Sequence, residues 1–309
     1  MTTRVNAMPE SSLDPPAIVP AAMTATQTFL WSVRRELWEN RAVYIAPLIA
    51  AGVFLFGFLV NMIKVRRHLQ GSPLDPMQQH QLFLTRHELA AALVMGTAFI
   101  VGIFYTLDAL YGERRDRSIL FWKSLPISDL TVVLSKVTIP MVILPFLSFV
   151  LTIATQFVML LLGSAILLGT GVNIPMLWRD FSFFHVTVDL LYHIVTVHGL
   201  WYAPIYGWLL MVSASAPRAP FLWAFLPPFV ICGLERIAFN TTYCLNLLQE
   251  RLTGPASGGS MSSASDPMDP MAHLIPHHFF SEPGLWIGLL IAAIFVAIAV
   301  QLRRRQGPI

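Results

Sequence analysis

Mostly apolar runs recur six times along the chain, over about 42–62, 89–111, 138–168, 186–213, 220–239 and 285–302. Each is close to the roughly 20 apolar residues that a transmembrane helix needs, so the pattern predicts an all-α polytopic membrane protein with six spans. The third and fourth runs are longer than necessary. Between Asp129 and Arg179 the only charge is Lys136, yet Gly163, Gly169, Gly171 and Pro175 leave too little apolar length for a second span. The third run therefore reads as one long tilted or kinked helix with Pro140 and Pro145 as candidate bends.

Ahead of the first run, residues 29–41 (FLWSVRRELWENR) place Leu30, Val33 and Leu37 on one helical face, flanked by Trp38, and Arg35, Glu36 and Glu39 on the other. This pattern predicts an interfacial helix lying on the membrane, with Arg34 and Arg41 snorkelling at its apolar edge. Residues 1–27, rich in Pro, Ala, Thr and Ser, read as a disordered tail and not as a signal peptide.

Composition supports the membrane reading. Of 309 residues 55% are hydrophobic and only 12% charged, against roughly 25% charged in soluble domains. The net charge of +3 speaks for no nucleic-acid surface. Its use is topological. With both termini inside, the cytosolic flanks hold Arg34, Arg35, Arg41, Arg114, Arg115, Arg117, Lys123, Arg218 and the three arginines Arg303, Arg304 and Arg305, while the outside holds only Lys64, Arg66, Arg67, Arg86, Arg179 and Arg251. The excess favours cytosolic termini. Cys232 and Cys244 sit in different surroundings, which argues against a disulfide or a metal pair.

One charge-dense segment interrupts the apolar pattern, residues 112–129 (GERRDRSILFWKSLPISD). Glu113, Arg114, Arg115, Asp116 and Arg117 precede the apolar patch Ile119, Leu120, Phe121 and Trp122, and Ser128 or Asp129 is placed to cap the next helix. Position alone allows two readings: a basic topology anchor, or a docking element with a charged turn and an aromatic knob for a cytosolic partner. The last external segment, 240–284, is read as an amphipathic stretch, a flexible Gly, Ser and Pro run, and a His-rich end, with its two ends lying on or dipping into the outer leaflet.

Nucleotide and hydrolase motifs fail. There is no GxxxxGK[ST], no HExxH and no GxSxG, so the chain is expected to bind no cofactor and to be no enzyme. Ionisable groups in apolar runs remain. His185, Asp189 and His193 recur every four residues on one face, His198 falls off that face, and Glu235 and Arg236 sit near the outer end of the fifth run. Structural hydrogen bonding, a pathway or gate built on Asp189, His193, Glu235 and Arg236, and a metal site are the three readings. Asp108 and Lys136 are expected to pair near the cytosolic face.

RRELWENRAVYIAP, ERRDRSILFWKSLPIS, WYAPIYGWLLMVSASAPRAPFLWAFLPP and Glu235 together resemble bacterial ABC-2 type permeases, the membrane subunits of ATP-binding cassette exporters. The resemblance covers about residues 28–305. It implies a permease domain over 28–309 after the tail, located in the bacterial inner membrane, with a coupling helix between spans two and three. By it, Glu113, Arg114, Arg115, Asp116, Arg117, Phe121 and Trp122 couple to a separate ATPase subunit that carries ATP and Mg, and a second permease subunit completes the pathway. The alternative is a secondary transporter or channel that relays ions through the intramembrane Asp, His and Glu groups.

Overall fold

The computed structural model describes residues 24–69, 76–124, 127–169, 178, 183–253 and 279–305, leaving aside the side chains of residues 68–69, 76–84, 183–186 and 189. Most of the expected tail, the 254–278 run with Ser257, Gly258 and Gly259, and the side chains of His185 and Asp189 lie outside the described residues.

Among the described residues all regular structure is helical. Helix α1 (Ala25–Glu39) opens on a capping box in which the Thr24 hydroxyl accepts from the Gln27 backbone N–H and the Gln27 side chain accepts from the Thr24 N–H. Helix α1 thus starts ahead of the boundary expected at residue 28. Then come α2 (Ala42–Leu69), α3 (Pro76–Ala109), and two short helices, α4 (Tyr111–Arg115) and α5 (Ser118–Ser124). Helix α6 (Asp129–Thr138) is capped by Ser128, whose hydroxyl accepts from the Thr131 N–H at 3.1 Å. It runs through a π turn (Ile139–Ile143) into α7 (Leu144–Leu167). The π turn carries Pro140, and the wider i→i+5 pattern accommodates the donor that proline lacks. Asp129–Leu167 is one continuous run of 39 residues, as the single-helix reading expected.

The fourth apolar run is not one straight helix. It forms α8 (Phe183–His193), a π segment (Ile194–Trp201) and α9 (Ala203–Ser215), with a bend of 41° at Tyr202 between its two halves. Pro204, in the first turn of α9, has no N–H to continue the preceding ladder. Helices α10 (Pro220–Phe239), α11 (Tyr243–Thr253) and α12 (Pro283–Arg305) complete the described chain. Among the described residues five helices are long and apolar enough to cross a membrane, six when the bent pair is taken as one. In α10 only Ala224 is buried, and Leu222, Leu226, Phe229, Leu234 and Ile237 are exposed. A helix this apolar and this bare suits hydrocarbon.

Helices α9 and α12 pack most closely. A Cβ on Gly207 would stand 3.2 Å from the Ala292 Cα and carbonyl oxygen and 3.3 Å from the Phe295 Cβ. Gly207→Val is accordingly expected to force the pair apart and cost about 1–3 kcal/mol, read as a lower thermal midpoint in detergent.

Surroundings along the sequence misled on the two cysteines. The left-handed Asn240 (φ 51°) reverses the chain after α10, and α11 folds back so that Cys232 and Cys244 form a disulfide, with Cα atoms 5.3 Å apart. Different surroundings along the sequence become one place once the helices turn back on each other.

Candidate functional site

Five ionised side chains from four helices meet at one end of the bundle. The Lys136 ammonium of α6 lies 2.8 Å from Glu36 of α1 and 3.1 Å from Glu113 of α4. The second Glu113 oxygen is 2.9 Å from one Arg303 guanidinium nitrogen of α12, and the other terminal nitrogen lies 2.6 Å from Asp129 at the start of α6. The Tyr105 hydroxyl of α3 donates to Glu36 at 3.0 Å. Glu36, Glu113, Lys136 and Arg303 are all buried. Charges in such surroundings are tolerated only when paired and hydrogen-bonded, and here each has at least one opposite charge in contact.

Arg114 adds a second fastening. Its guanidinium donates to the carbonyls of Ser213 and Ala216 at 3.1 and 2.6 Å, two of the acceptors that the end of α9 leaves without intrahelical donors. The Ser213 hydroxyl in turn accepts from the backbone N–H groups of Leu110 and Tyr111, each at 3.0 Å. The segment after α3 is thereby tied to α6, α9 and α12 at once, and through Lys136 to α1. These contacts place α1, the 110–129 segment, the end of α9 and the end of α12 at the same end of the bundle. The disulfide lies beside the far end of α10.

Several expectations change. Glu36, assigned to the wet face of the interfacial helix, points inward because its partner Lys136 is buried beneath α1; Arg35 and Glu39 keep the outer face and pair with each other. Asp108 and Lys136 do not pair: Asp108 faces Arg115 at 3.7 Å while Lys136 is taken by two glutamates. Arg303, counted as a flanking charge, is an internal one.

Of the expected coupling residues, Glu113 and Arg114 are consumed inside the chain and offer nothing to a partner. Trp122 is half-buried, with the Arg35 guanidinium 3.3 Å from its ring centroid, so it joins α5 to α1 instead of standing free as a knob. Outward remain Arg115, Asp116 and Arg117 at the turn between α4 and α5, then Leu120 and Phe121, the last 60% exposed. Arg117 adopts φ 58°, a left-handed conformation that costs a non-glycine residue about 1–2 kcal/mol.

The expected outer polar cluster does not assemble as drawn. Glu235 accepts from the Thr241 hydroxyl (2.7 Å) and from the Tyr243 and Cys244 N–H groups (2.7 and 2.8 Å), spending its carboxylate on the first turn of α11. Arg236 is exposed. His193 instead meets His198, ring centroids 5.9 Å apart, and His198 meets Tyr202 at 5.2 Å. A spacing of five residues leaves the face of an α-helix but returns to it in the π segment that joins them. No group of three or more metal-binding side chains occurs among the described residues.

The ionic network was invisible to periodicity, which cannot register partners 100 or 190 positions apart. The one available signal was the isolation of Lys136, a lone cation at the edge of a long apolar run. The chain matches no protein-family model, no curated protein and no solved structure.

Proposed function

We propose that this chain is the membrane-spanning permease subunit of an ABC-2 type exporter, driven by ATP hydrolysis on a separate nucleotide-binding subunit that holds ATP and Mg, and pairing with a second permease subunit. The observation that carries the reading is the mounting of the α4–α5 segment. Its inner side is locked to α6 and α12 by Glu113 and to α9 by Arg114, while its outer crest presents Arg115, Asp116, Arg117, Leu120 and Phe121. A coupling element needs both properties: a rigid tie to the spans, and an apolar anchor with charges around it for a soluble partner.

The disulfide supports the orientation. Disulfides persist on the oxidising side of a membrane, which supports a reading with the α10–α11 end outside and the crest, with both ends of the described chain, in the cytosol of a bacterial inner membrane. The charge count of the flanks gives the same orientation.

Phe121→Ala and Arg115→Glu are expected to leave the protein inserted in the membrane but to weaken association with the ATPase subunit. Loss of one interfacial anchor costs about 2 kcal/mol, roughly 30-fold in Kd. The measurement is vanadate-sensitive ATPase activity co-purifying with the tagged permease, alongside transport. Wild-type recovery of ATPase with both variants would overturn the proposal.

A further inference from the structure

We infer that the Cys232–Cys244 pair is a reversible redox modification site whose state decides whether α11 stays fastened across the bend of the fourth apolar run. This goes beyond the permease reading and needs from it only that the α10–α11 end faces an oxidising compartment.

Helix α11 is held at its two ends. At the first, the disulfide joins it to α10, and the Glu235 carboxylate accepts the three bonds from Thr241, Tyr243 and Cys244. At the second, Trp201 and Tyr202, the residues at the bend, donate to the Glu250 and Leu252 carbonyls at 3.2 and 3.0 Å. The Arg251 guanidinium lies 4.2 Å from the Trp201 ring centroid and donates to the Gly284 carbonyl at the start of α12. It fills the space that a Cβ on Gly288 would need, 2.8 Å away. The helix is a strap from the end of α10 to the joint between the π segment, α9 and α12.

What lies between the two fastenings is weak. None of the 11 residues of α11 is buried, and a helix of that length is marginal without packing. The strap therefore depends on its ends. The disulfide is the one covalent fastening among the described residues, and Cys244, partly exposed in the first turn of α11 and outside the apolar run, offers its sulfur to an attacking thiolate. Reduction by a dithiol proceeds through a mixed disulfide: the first thiolate displaces one cysteine sulfur, the second displaces the other. Two electrons and two protons pass to Cys232 and Cys244, and the dithiol leaves as its disulfide. The remaining fastenings are hydrogen bonds and one cation–π contact, all of which open and close reversibly. The reduced strap exchanges between docked and undocked states and frees Trp201 and Tyr202 at the bend.

The test is hydrogen exchange on the full chain in lipid vesicles, before and after dithiothreitol, with alkylation to count free thiols. The pair is expected to be oxidised as isolated from membranes. After reduction, amides of α11 are expected to exchange at least tenfold faster while those of α9 and α12 keep their rates, and reoxidation is expected to restore protection. Cys232→Ser with Cys244→Ser should match the reduced protein with or without dithiothreitol. Gly288→Leu, which evicts Arg251 but keeps the disulfide, should loosen only the second end of α11 in the oxidised protein. Free thiols in freshly isolated membranes, unchanged exchange in α11 after reduction, or an equal rise across α9 and α12 would each overturn the inference, the last by making the bond a staple of the whole fold. None of these readouts involves ATP, so failure here is distinct from failure of the permease proposal.

Discussion

Lys136→Met is expected to be the most damaging single change in this protein. The ammonium stands between Glu36 and Glu113 in a buried setting, and its removal strands the Glu36 carboxylate and leaves Glu113 with Arg303 as its remaining cation. Breaking a buried ion pair by deleting one partner costs about 3–5 kcal/mol. A drop of about 10 °C in thermal midpoint follows for a chain of this size, or failure to accumulate in the membrane. The size of the loss has an internal control. Glu113→Gln leaves Lys136 with Glu36 and Arg303 with Asp129, and should cost clearly less. Adding Glu36→Gln to Lys136→Met should recover part of the loss, because one stranded charge is gone. Wild-type stability of Lys136→Met would mean that Glu36, Glu113 and Lys136 are not buried together.

The second large effect belongs to Arg114→Leu. Leucine keeps an apolar stem but gives up the donors that reach Ser213 and Ala216. Two carbonyls at the end of α9 would then be left in a buried place without that donor, at about 1–3 kcal/mol each. The consequence reaches function as well as stability, since the α4–α5 crest would lose its tie to α9 while keeping those to α6 and α12. On the permease proposal, the variant is expected to bind the proposed ATPase subunit more nearly normally than Phe121→Ala yet to hydrolyse ATP without matching transport. Thermal unfolding and the ratio of ATP consumed to substrate moved check the two halves separately. A variant with an unchanged thermal midpoint and an unchanged ratio would remove Arg114 from the argument.

The apolar runs announced most of the long helices, because lipid-facing helices need long uncharged stretches and little else. The cap at Ser128, the continuous third run with its irregularity at Pro140, and the amphipathic helix before the first run were legible for similarly local reasons. What escaped was decided by contacts distant in sequence or by a change of helical period. Glu36 looked wet because amphipathic reading sends every charge outward, and its partner Lys136 lies a hundred residues on. His198 looked out of line because five residues were counted on a 3.6-residue helix, whereas the π segment restores them to one face. The disulfide was missed because cysteines 12 residues apart were compared by surroundings along the chain. The signal was present in Asn240, a residue tolerant of the left-handed conformation, placed just where an apolar helix ends and an amphipathic one begins.

The ionic network also imposes an order on biogenesis. Glu36 and Lys136 belong to the first part of the chain to be made, whereas Arg303 follows Glu113 by 190 residues and Asp129 by 174. At roughly 5–20 residues per second, those carboxylates wait about 10–40 s for their cation. During that interval Asp129 and one Glu113 oxygen lack the cation that α12 supplies in the finished protein. Arrival of Arg303 closes the network, so the ionic contacts between the early helices are finished only when α12 is in place.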